Sequence, residues 1–149
     1  MSAAADNGLQ GLAGLSLVVL SGEYERVHYA LSMAAAALAI DRPVILFFTN
    51  RALHGLARDD AAGPGWHRLQ ADAAGRSAAQ QDAELRGRGV AGFAELLEAC
   101  VELGARIIAC EMGLRVAGLS AAELRPEAEV AGLVTLYAAT AAPAQLVVI

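Results

Sequence analysis

Four short apolar runs, residues 15–20 (LSLVVL), 44–48 (VILFF), 105–110 (ARIIAC) and 146–149 (LVVI), alternate with segments whose apolar positions recur every three or four residues. Such uninterrupted runs suit strands that are covered on both faces, and the intervening spacing is that of helices. Strands alternating with helices imply a parallel sheet, because a parallel partner needs a long crossover connection. The chain is therefore read as α/β, a three-layer α/β/α sandwich around an open, mainly parallel sheet of about five strands.

The first run ends at Ser21-Gly22. From Glu23 the residues Val27, Ala30, Leu31, Ala34 and Leu38 outline a helix, with Glu23 and Glu25 in the first turn, where the dipole favours acids. Asp41-Arg42-Pro43 interrupts it before the second run. Phe93, Leu96, Leu97 and Cys100 mark another helix closed by Gly104, and residues 111–117 begin a further helical turn after the third run. Ser120 and Glu123 have the spacing of a capping box. Leu133, Leu136, Tyr137 and Thr140 form a last helix face, stopped by Pro143. At 149 residues, positions 1–149 are read as one domain, with residues 1–11 as a loose terminus. Residues 58–88, rich in Asp, Arg, Gln and Gly, form an insert off the core with a short helix around 77–85.

Charge and composition narrow the function. A net charge of −5 with no basic run offers nothing to neutralise nucleic-acid phosphates or an anionic membrane. Residues 130–149 carry no charge over twenty positions, but they contain Gly132, Thr135, Thr140, Pro143 and Gln145 and divide into a helix-period half and a strand-like end. No membrane span is expected. The uncharged stretch 7–22 lacks the positive residues that precede a secretory signal, and two cysteines are too few for a disulfide framework. A cytoplasmic, reducing setting follows, in which thiols stay free. An apolar content of 56% is high for a small monomer and points to a homo-oligomer.

Parallel strands gather their carboxyl ends on one side of the sheet, where ligands collect. Ser21-Gly22, Thr49-Asn50 and Cys110-Glu111 are three such ends. Cys110 is the candidate for chemistry, since a thiol at a helix start meets free N–H donors that favour its thiolate. Glu111 opposes that anion, and Arg115 would compensate if the helix brings it near. Cys100 lies on the apolar stripe with Phe93, Leu96 and Leu97 and reads as core. A Cys100–Cys110 disulfide is disfavoured. The helix and strand diverge from Gly104, leaving Cys100 about 6 Å along one and Cys110 about 20 Å along the other, whereas bridged Cα atoms lie within about 7 Å. His28 reads as a partly exposed helix residue, and His54 as a group able to approach Cys110 as a base. His28, His54 and His67 lack metal-ligand spacing, and the glycines lack a phosphate-loop or dinucleotide spacing, so no metal or cofactor is implied.

Residues 31–39 (LSMAAAALA) followed by 44–49 (VILFFT) resemble the opening of DsrE/DsrF-like proteins. Residues 96–112 (LLEACVELGARIIACEM), then Gly118-Leu119 and residues 129–132 (EVAG), resemble that family's helix, cysteine-bearing strand and entrance to the final helix. The resemblance covers most of the chain outside residues 1–11 and the insert. It implies a sulfur-relay protein in which Cys110 carries sulfane sulfur as a persulfide and passes it to a partner, with a sulfur donor or acceptor protein as its counterpart. Ser21, Gly22, Thr49, Asn50, His54, Glu111 and Met112 are the expected binding residues around it. This chain departs from such motifs at Glu111 and Gly113, where glutamine and serine are common. Two further readings remain beside it: a non-catalytic module that binds a small anion or nucleotide-like ligand in the same crevice, and an assembly subunit.

Overall fold

A computed structural model describes residues 13–140 and 143–149. The expected loose terminus, residues 1–11, lies outside the described residues. In chain order the elements are β1 (Gly14–Val19), α1 (Tyr24–Ala39), β2 (Val44–Phe48), α2 (Ala78–Gly87), α3 (Phe93–Glu102), β3 (Arg106–Cys110), α4 (Glu111–Ala117), β4 (Ala128–Ala131), α5 (Leu133–Ala139) and β5 (Ala144–Val148). Three 3-10 turns, Asn50–Leu56, Gly65–Arg68 and Ala121–Glu123, fill the connections. The strands form one five-stranded parallel sheet in the order β4-β3-β2-β1-β5. The α/β architecture read from the strand–helix alternation is the one observed.

Side-chain alternation divides the sheet into two unequal faces. Leu15, Leu17 and Val19, Val44, Leu46 and Phe48, and Ile107 and Ala109 point to one side, where α1 contributes Val27, Leu31 and Leu38 and α3 contributes Phe93, Leu97 and Cys100. This is the main core, and each fully buried large side chain stabilises it by about 1.5–3 kcal/mol. On the other side Phe47, Ile108 and Cys110 meet Leu136 of α5, with Val18, Ile45 and Ala131 packed around them.

Topology explains the imbalance. β1 to β4 advance in one direction, so right-handed crossovers stack their helices on one face, and the return from β4 to the far edge at β5 runs over the other. Only α5 makes that return, and its seven residues span about 10 Å. The five strands it must cover spread over about 19 Å. Leu133, Val134 and Tyr137 of α5 and Leu146 and Val148 of β5 consequently remain exposed.

Three expectations change. The segment that the sequence presents as the entrance to the last helix is β4, a four-residue edge strand whose Glu129 and Val130 are exposed, too short and too polar to stand out as an apolar run. The insert is less peripheral than its composition suggests. Trp66 lies 5.0 Å from the Phe93 ring and 6.0 Å from Tyr24, and Leu69 is buried, so this segment closes one end of the main core. Its helix is capped by Ser77 and Gln80 in a reciprocal box. His28, read as partly exposed, is 7% exposed, and its Nε2 lies 2.9 Å from the Ala91 carbonyl. The loop before α3 covers the helix face on which it sits. Ser120 and Glu123 do form the anticipated capping box.

Among the described residues no helix is long and apolar enough to cross a membrane, and no group of His, Cys, Asp and Glu is arranged to hold a metal ion.

Candidate functional site

Cys110 is the last residue of β3 and the N-cap of α4. Its Sγ accepts a hydrogen bond from the Gly113 N–H at 3.4 Å, and only 1% of the residue is exposed. The thiol lies against Phe47, Ile108 and Leu136, on the face covered by α5. Cys100 is also free but occupies the main core, where its thiol meets the Leu31 carbonyl at 3.6 Å. Burial pushes the Cys100 thiol up to about 11. The two cysteines therefore sit on opposite faces of the sheet.

The second strand end reaches the same region. A Cβ on Gly113 would fall 2.5 Å from the Asn50 backbone nitrogen and closer still to the Thr49 hydroxyl, so the first turn of α4 lies directly on Thr49-Asn50. Thr49 is buried, and its hydroxyl donates to Asn50 Oδ1 at 3.2 Å. Asn50 adopts a left-handed φ of 50°, a conformation that asparagine tolerates better than most residues. The turn throws the chain into the 3-10 segment Asn50–Leu56.

The first strand end joins through Arg51. A Cβ on Gly22 would lie 2.6 Å from the Arg51 Cβ, and the Gly22 carbonyl accepts from the Gln70 N–H at 2.9 Å. The Ser21 hydroxyl turns back to accept from the Glu23 N–H at 3.2 Å. His54 lies one turn beyond Arg51, with a buried Nδ1 that has no hydrogen-bond partner. Burial holds its imidazole below the ordinary histidine range, the positive charges of Arg68 and Arg51 reinforce this, and Glu123 opposes it. No hydrogen bond links His54 to Cys110. Glu111 and Met112 are exposed on the first turn of α4, with Met112 58% accessible.

Thus Cys110, Gly113, Thr49 and Asn50 form one continuous cluster, Gly22 and Arg51 adjoin it, and Glu111 and Met112 form its outer rim. A model of the DsrE/DsrF-like family matches residues 15–148. The chain belongs to that family. No curated protein matches in sequence. Among solved structures, the DsrE/DsrF-like fold described here is similar to a protein of unknown function, MTH1491, from Methanobacterium thermoautotrophicum, with a TM-score of 0.60 at 13% identity over 92% of this chain and 99% of that one. It is also similar to the ychN protein from E. coli, with a TM-score of 0.58 at 12% identity over 93% of this chain and all of that one.

Two residues at this candidate site, Arg51 and Leu136, are not singled out by the sequence. Arg51 follows Asn50 directly, so its place at a strand end was readable. Leu136 was assigned to a helix face, but its contact with Cys110 depends on α5 crossing the back of the sheet, which no local pattern announces.

Proposed function

We propose that this DsrE/DsrF-like protein is a sulfur carrier that holds sulfane sulfur as a persulfide on Cys110 and passes it to a partner protein. The observation that carries this reading is the Gly113 N–H at 3.4 Å from Sγ, a backbone donor held by the start of α4 against a thiol that caps a strand end. Family membership supports a role in sulfur relay. In loading, the Cys110 thiolate attacks the terminal sulfur of a donor persulfide; the new Sγ–S bond forms as the donor S–S bond breaks, and the donor leaves as its thiolate. Discharge is the same exchange onto an acceptor thiolate, with no net oxidation of the pair. Thr49 and Asn50 define the polar wall, and Phe47, Ile108 and Leu136 keep the bound sulfur out of water. Met112 and Glu111 would meet the partner at the rim, and Ser21, Gly22 and His54 belong to the neighbouring strand ends.

The same reading takes residues 1–149 as one domain acting in the cytoplasm, where free thiols persist. It takes the exposed apolar surface of α5 and β5 as a contact between identical copies. The deciding experiment is intact mass of the purified protein before and after exposure to a persulfide donor, with and without reductant. A reductant-sensitive gain of about one sulfur atom, abolished in Cys110→Ser and retained in Cys100→Ser, is expected. No gain in the parent protein overturns the proposal.

A further inference from the structure

On the sheet face covered by α1, the insert and α1 border a half-open cavity of about 440 Å³. A second cavity of about 620 Å³ adjoins it, and Tyr24, Glu25 and Gln81 border both. The first has the size of a small-molecule site.

Two deeply buried polar side chains line it, His28 at 7% and Gln81 at 8% exposure. Each is tied by one end only. The Ala91 carbonyl can only accept, so His28 uses Nε2–H on it, which leaves Nδ1 without a partner among the described residues. The Gln81 amide nitrogen donates to the Arg76 carbonyl at 3.0 Å, and its Oε1 bonds to no described residue. Neither free atom is sealed in protein: among the described residues, the buried and inaccessible side-chain N or O atom without a partner is His54 Nδ1. The free acceptors of His28 and Gln81 are therefore accessible to solvent, on side chains that line the cavity.

Charge around the cavity selects the ligand further. Arg76 and Arg88 reach it, but both are held by Glu84, and Arg76 is held by Asp72 as well. Glu25, in the first turn of α1, has no ion pair among the described residues. Tyr29, 62% exposed, supplies an aromatic wall, and Leu85 and Val90 supply an aliphatic one. Three acceptors beside a tyrosine ring match the three donors of a primary ammonium, whose charge the ring and Glu25 both attract.

We propose that the cavity between α1 and α2 is a binding site for a primary ammonium group on an apolar stem, with His28 Nδ1, Gln81 Oε1 and the Glu25 carboxylate as its acceptors. The site is independent of Cys110 and of the sulfur-carrier reading. Either a free amine or a lysine side chain of a protein partner would satisfy it.

The test is an NMR titration of the full chain with hexylamine, with hexanol and hexanoate as controls that share its stem. Hexylamine is expected to shift the Gln81 side-chain amide and the His28 ring signals, and to bind about tenfold more tightly than hexanol. Glu25→Gln, a surface change, and Gln81→Leu are each expected to weaken binding by about fivefold. A parallel titration with a short peptide that is acetylated at its N-terminus and carries one free lysine side chain separates the sources. Tighter binding of the peptide assigns the site to a partner's lysine, and tighter binding of hexylamine assigns it to a free amine. Absence of shifts with hexylamine, equal shifts with hexanol or hexanoate, or unchanged binding in the Glu25→Gln variant overturns the proposal.

Discussion

Gly113 lies so close to Thr49 that no side chain fits between the first turn of α4 and the end of β2. Gly113→Ala must push these two strand ends apart. A loss of about 1–3 kcal/mol is expected from overpacking at a site bounded by backbone, measured as a lower denaturant midpoint with an unchanged slope. The same displacement carries the Gly113 N–H away from Cys110, so sulfur loading should fall in the variant even where it remains folded.

Asp82 ties the insert to the main core. Its Oδ1 accepts from the Tyr24 hydroxyl at 2.6 Å and from the Phe93 N–H at 2.7 Å, and its Oδ2 pairs with Arg86 at 3.0 Å. Burial and this carboxylate together push the Tyr24 hydroxyl far up, so it remains a donor at any physiological pH. Asp82→Ala leaves two buried donors without an acceptor and should cost about 3 kcal/mol. Tyr24→Phe removes one donor only and should cost less. Protease cleavage within residues 58–88 should accelerate in Asp82→Ala before the rest of the chain is attacked.

The two thiols should differ in how they respond to α5. Cys100 is buried in the main core with its thiol pushed up to about 11, so it should resist maleimide near neutral pH until the protein unfolds. Cys110 is buried under Leu136 of a short, thinly supported helix. Leu136→Ala should cost about 2–5 kcal/mol by opening a cavity and should speed labelling at Cys110 but not at Cys100. Equal acceleration at both thiols would indicate global unfolding instead of release of the cover.

His54 provides a pH dependence whose sign is fixed. Its folded value lies below the ordinary 6.5, so the unfolded chain takes up a proton more readily. The associated stability is complete above about pH 6.5 and declines as the pH falls below that value. Asp60, Asp72, Glu123, Glu127 and Glu129 are held below the usual carboxylate range by hydrogen bonds and arginines, and lose their contributions only at lower pH. Between about pH 5 and 6.5 the unfolding midpoint of His54→Gln should therefore vary less than that of the parent.

The proposed contact between copies is tested at Val134 and Tyr137, which are 84% and 67% exposed on α5. Val134→Asp should reduce the mass seen by light scattering towards 15.3 kDa without altering the circular dichroism spectrum. A parent protein already at that mass would remove this contact from the reading.

What the sequence disclosed tracks how local each cause is. The apolar runs of β1, β2 and β3 were legible because both of their faces are covered or nearly so. The Ser120 cap is legible because a cap is settled within four residues. β4 escaped because an edge strand of four residues, with Glu129 and Val130 in water, has no periodicity to read. At the site, the strand-end positions of Thr49, Asn50 and Cys110 followed from the parallel sheet alone. The burial of His28 depended on the Ala91 loop, and the cover on Cys110 depended on a return crossing from one sheet edge to the other. Neither cause is present in the residues adjacent to the group it affects.

Cys100 and Cys110 are divided by the sheet itself, each facing a different layer. This gives the chain no resolving thiol. Under the proposed carrier role, sulfur taken up at Cys110 would have no way to collapse into an internal disulfide and be released as sulfide. A loaded molecule would therefore wait, and its lifetime would be set by encounters with an external thiol instead of by its own chemistry. In circuit terms, the sheet would act for such a carrier as the insulator that lets a single contact hold its load.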